Sequence, residues 1–66
     1  MSISYKPLWL LLVERNMNKS ELSVKAKISM NAVAKMGKNE YVSLQTLEKI
    51  CLELECKLEE VVQIEK

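Results

Sequence analysis

Sixty-six residues with a formal net charge of +1, 48% of them hydrophobic and 29% charged, make one small globular domain rather than a disordered tail. One Gly, one Pro and only three aromatics (one Trp, two Tyr) favour helices over a turn-rich β-sandwich. The absence of His removes the commonest neutral-pH base and metal ligand, and a single Gly cannot build a phosphate-cradling loop, so catalysis is excluded from the leading readings.

In chain order, Ser2 to Tyr5 alternates polar and apolar residues, a strand pattern. Pro7 suits the first position of a helix, where its missing N–H costs nothing. Leu8, Leu11, Leu12 and Arg15 then share one side at 3.6 spacing, so this helix runs to about Arg15 and ends at Asn16 and Asn18. Asn18 caps a second, short helix, with Glu21 three residues on to complete a capping box and Leu22 and Ala26 facing inward. That helix stops near Ala26 or Lys27, and Ile28 follows in the turn.

Ser29 caps a third helix, Met30 to Met36, which Gly37 is expected to close in a left-handed conformation. Lys38 to Val42 reads as a loop. Ser43 caps a longer helix with an apolar stripe of Leu44, Leu47, Ile50, Cys51 and Leu54. A last helical turn is expected over Leu58 to Val61. Val62 to Glu65 returns to alternation and is expected to pair with the N-terminal strand.

The near-neutral total conceals a polarity. Residues 1–39 carry seven basic residues against two acids, a balance of +5, and residues 40–66 carry three against seven, a balance of −4. This arrangement fits a basic binding surface backed by an acidic half that limits indiscriminate sticking, and it equally fits two solvated faces of opposite sign. Cys51 and Cys56 are too few for a four-ligand zinc site without His. No secretory signal is visible, so both are expected to be reduced, buried, small hydrophobes in a cytoplasmic protein. The longest apolar run, Leu8 to Val13, is six residues and far short of the roughly 18 that span a bilayer.

The informative unit is the pair of short helices over residues 19–36, KSELSVKAKISMNAVAKM, joined by a three-residue turn. Leu22, Ala26, Ile28, Val33 and Met36 must face inward to hold the helices at a steep angle, and small Ser23 lets them approach. This unit resembles the helix-turn-helix of the Cro/C1-type (XRE-like) transcriptional regulators, and the flanking helices extend the likeness over about Tyr5 to Val61. The resemblance implies an all-α, five-helix lambda-repressor-like domain, with the short antiparallel pairing of the chain ends added to it. The sequence departs from the family where Lys19 stands for a frequent Gln, Ser23 for Ala, and Lys27 for a Gly in the turn. A non-Gly residue with positive φ at that last site costs about 1–2 kcal/mol.

Helix geometry then nominates the contacts. At 100° per residue, Met30, Asn31, Ala34, Lys35 and Lys38 cluster on one face of the third helix, with Ala32, Val33 and Met36 on the other. The first face is the one that a recognition helix would push into the major groove of double-stranded DNA. Asn31 can form a bidentate pair with adenine, Lys35 can reach guanine acceptors or a phosphate, and Met30 and Ala34 can pack on thymine methyl groups. The family resemblance implies phosphate contacts for Lys19 and Ser20 at the start of the second helix, and for Asn39 in the loop. The backbone N–H of Ser29 is a further phosphate donor.

Such a small module usually needs two copies, and Leu10 and Leu52, each off its helix's apolar stripe, are candidates for a homodimer contact together with Trp9 or the C-terminal segment. No cofactor, metal, membrane or small-molecule ligand is expected. The competing reading is a protein-binding module of the same fold that uses its acidic C-terminal half.

Overall fold

The structure, a computed structural model, describes residues 2–65. It contains β1 (Ser2–Ser4), α1 (Lys6–Glu14), α2 (Lys19–Ala26), α3 (Met30–Gly37), α4 (Leu44–Leu54), a 3-10 turn (Leu58–Glu60) and β2 (Gln63–Glu65). β1 and β2 pair antiparallel, with Ser2 opposite Glu65, Ile3 opposite Ile64 and Ser4 opposite Gln63, so the two ends of the chain are tied as the alternation predicts.

The local signals for the helix starts hold in detail. Asn18 Oδ1 accepts from the Glu21 N–H at 2.8 Å, and Glu21 Oε1 accepts from the Asn18 N–H at 3.2 Å, a closed capping box. Ser29 Oγ accepts from the Ala32 N–H, and Ser43 Oγ from the Thr46 N–H, each at 3.1 Å. Pro7 takes the second position of α1 rather than the first, because the helix begins at Lys6.

The core gathers Tyr5, Leu8 and Leu12 from the N-terminal side, Leu22 and Ala26 from α2, and Val33 and Met36 from α3. Leu47, Ile50 and Leu54 from α4 complete it with Ile28 and Val61. All five residues expected to hold the helix pair together are therefore buried. Among the described residues no buried side-chain polar atom lacks a partner.

The fold has four α-helices among the described residues, not five. The expected fifth is a single 3-10 turn, since Glu55 turns left-handed (φ 51°) and only a few residues remain before Val61 enters the core. So short a run cannot repay helix nucleation.

Gly37 is the last residue of α3 and has no positive φ; the left-handed residue is Asn39, at φ 57°. There the Glu40 N–H reaches back to the Lys35 carbonyl at 2.9 Å, closing the helix in the six-residue loop that a left-handed residue permits.

Leu44 is 74% exposed, because the first turn of α4 lies at the edge of the helix packing rather than within it. Cys51 and Cys56 are free thiols but only half-buried, lying at the rim of the core where α4 ends.

Candidate nucleic-acid interface

The exposed face of α3 is the face expected from helix geometry. Met30, Asn31, Ala34 and Lys35 are exposed, as is Lys38 just beyond the helix, while Val33 and Met36 are buried and Ala32 is half-buried between the two faces. Packing of valine and methionine thus fixes the rotation of the helix, and that rotation sends asparagine and lysine outward. The angle between α2 and α3 is set by the turn between them. Lys27 is left-handed there, at φ 58° and ψ 45°, and the Ile28 N–H returns to the Ser23 carbonyl at 3.1 Å.

Five of the nominated residues fall into two groups. In the first, Ser29, Asn31 and Lys35 line a shallow depression together with Ser43 and Thr46 at the start of α4. The hydroxyls of Ser43 and Thr46 lie 3.0 Å apart. Ser43 caps α4 as its position predicts, whereas Thr46 joins this set only through packing; no spacing along the chain announces that the start of α4 lies beside α3. The depression brings an amide, an ammonium and hydroxyls to one exposed surface, a set able to donate hydrogen bonds to an anion.

The second group sits at the other end of α3. Lys19, the first residue of α2, places its Nζ 3.6 Å from the point where a Cβ on Gly37 would stand. The same ammonium lies 4.6 Å from the centroid of the Trp9 ring in α1, within cation–π range. Ser20 is exposed beside it in sequence.

Asn39 is exposed, but its carbonyl oxygen is engaged: the Tyr5 N–H donates to Asn39 Oδ1 at 3.4 Å. Its amide N–H groups are the donors left for a ligand. The adjoining bond is shorter, with the buried Tyr5 hydroxyl donating to the Glu40 carbonyl at 2.7 Å. Burial pushes the Tyr5 hydroxyl above its ordinary 10.0, so it stays a donor across the neutral range and pins the loop that follows α3.

Leu10 and Leu52 are 56% and 73% exposed, as their positions off the apolar stripes imply. Among the described residues no helix is long and apolar enough to cross a membrane.

The pattern of the Cro/C1-type HTH DNA-binding domain matches residues 7–66. A crystal structure of the transcriptional regulator VanUg (Form II) is similar to the chain at 42% identity and a TM-score of 0.90, over 94% of this chain and 83% of that one. No curated protein matches it significantly. With the family pattern spanning nearly the whole sequence, and with two capped helices set across a left-handed turn, the chain belongs to the Cro/C1-type helix-turn-helix DNA-binding family.

Proposed function

We propose that the chain is a sequence-specific regulator of transcription that lays α3 into the major groove of double-stranded DNA. The observation that carries this reading is the division of α3 into a buried face of Val33 and Met36 and an exposed face of Met30, Asn31, Ala34 and Lys35. Membership of a DNA-binding family supports it, as does similarity to a transcriptional regulator.

In this reading Asn31 pairs with an adenine edge, Lys35 reaches guanine acceptors or a phosphate, and Met30 and Ala34 pack on thymine methyl groups. Lys19, Ser20, Lys38, the Ser29 backbone N–H and the Asn39 amide fix the register on phosphates. The opposed charge of the two halves orients the encounter, +5 over residues 1–39 toward DNA and −4 over residues 40–66 away from it. A homodimer would set two such helices about one turn of DNA apart, with exposed Leu10 and Leu52 available to the contact.

Selection of bound fragments from random duplex DNA tests the reading. A consensus should emerge, bind with a log–log salt slope of about −5 if about six phosphates are neutralised, and be lost in Lys35→Glu. A domain that enriches no sequence, and that loses a protein target when Glu59 and Glu60 are reversed, is instead a protein-binding module.

A further inference from the structure

Trp9 lies in α1, outside the helix pair, and the DNA contacts proposed above give it no task. It is the only tryptophan of the chain and is half-buried, with the Lys19 ammonium over its ring at 4.6 Å. Lys19 opens α2, where the unpaired N–H groups of the first turn present partial positive charge. A cation is electrostatically unfavourable there, so lysine at this position works against the stability of its own helix. Its flexible stem would also let the ammonium drift into water.

The face of the Trp9 ring opposes that drift by attracting the charge through its quadrupole, and Nζ rests beside Gly37 at the end of α3. A ring face occupies one side of an ammonium and leaves N–H donors on its exposed side, since Lys19 itself remains exposed. The charge is thus held at a junction of three helices, beside Gly37, which Lys38 and Asn39 follow in sequence.

We propose that Trp9 is a positioning residue for DNA binding: its ring face holds the Lys19 ammonium at the C-terminal end of α3, aimed at a backbone phosphate of the duplex that α3 enters. The inference rests on the DNA-binding reading and adds to it a residue outside the motif. A phosphate held at a fixed place relative to α3 sets how the helix lies in the groove, whereas a mobile lysine adds only to the general field. The competing account is that the pair merely fastens α1 to α2.

Binding of the 66-residue chain to a fluorescently labelled short duplex of mixed sequence, titrated at several salt concentrations, separates the two. Lys19→Met should weaken binding and make the log–log salt slope shallower by about 0.9. Trp9→Leu should weaken binding about 3- to 10-fold, and Trp9→Phe, which keeps a ring face, about 2-fold. In the Lys19→Met background, Trp9→Leu should change affinity by less than about 2-fold, because its partner is already gone.

Equal losses from Trp9→Leu with and without Lys19 would overturn the proposal in favour of simple fastening. So would wild-type affinity in Trp9→Leu. Should that variant fold poorly, Trp9 emission provides the second measurement: adding the duplex should shift it in the wild-type chain and leave it unchanged in Lys19→Met. Emission that responds identically in both chains overturns the proposal while leaving the DNA reading intact. A wild-type chain that binds no duplex at any salt overturns both.

Discussion

The Ser23 hydroxyl donates a 2.8 Å hydrogen bond to the carbonyl oxygen of Ile28, while the Ile28 N–H donates back to the Ser23 carbonyl at 3.1 Å. Ser23 and Ile28 thus clasp the turn between α2 and α3 from both sides. Between them lies Lys27, held left-handed at φ 58° without being glycine. Serine at this site is more than an alanine-sized filler: its hydroxyl supplies a second bond across a turn that a lysine strains.

Ser23→Ala should therefore destabilise the fold by about 1–2 kcal/mol, since the Ile28 carbonyl loses its donor in a buried place. Lys27→Gly should stabilise it by about 1 kcal/mol through relief of the left-handed strain. Because the two sites share one turn, the double variant need not show the sum. Urea denaturation of the four chains measures this, and an unchanged midpoint in Ser23→Ala rejects the clasp.

Gly37→Ala should raise stability by about 0.5–1 kcal/mol. The residue is helical, and the new Cβ would meet only Lys19 Nζ, at 3.6 Å, the end of a flexible side chain. Thermal unfolding is the check. A loss of stability would mean that glycine is required there after all.

Core truncation should be severe in so small a domain. Ile50→Ala, at a fully buried position of α4, should cost about 2–5 kcal/mol, a large share of any 66-residue chain's stability. Leu52→Ala, two residues on and on the opposite face of α4 at 73% exposed, should cost under about 0.5 kcal/mol. Circular dichroism melts of the two variants compare them directly.

Stability should fall in mild alkali. Burial, reinforced by the neighbouring Cys51, pushes the Cys56 thiol from 9.0 up to about 11, and burial raises the Tyr5 hydroxyl above 10.0. Both groups keep their protons longer in the folded chain than in the unfolded one, so the unfolded state binds fewer protons as pH rises and stability decreases. The contribution is whole below pH 9.0 and is lost as pH climbs toward about 11, with Tyr5 adding to the slope above 10.0. Melting curves across that window should flatten in Cys56→Ala. In Tyr5→Phe the part above pH 10.0 should flatten, at an overall cost of about 1 kcal/mol for the lost bond to the Glu40 carbonyl. A wild-type midpoint that does not move in this range would refute the assignment.

What the linear order of residues determined was whatever a side chain decides within about one helical turn of itself. The capping box of Asn18 and Glu21 and the serine caps at Ser29 and Ser43 are bonds between residues three apart, so they are written in spacing alone. Helical periodicity likewise separated Val33 and Met36 from Asn31 and Lys35, and period-two alternation marked the strands at the two ends.

Tertiary structure decided the rest, because it depends on where one helix ends relative to another. Leu44 shares the stripe of Leu47 and Ile50 but stands past the edge of the packing and is exposed. Asn39 rather than Gly37 takes the left-handed closure, one turn-defining step later than composition suggests. Ser43 and Thr46 come beside Asn31 and Lys35, and Trp9 beneath Lys19, only through the docking of separate helices. No periodicity carries such contacts, since each is fixed by the combined packing of residues far apart in the chain.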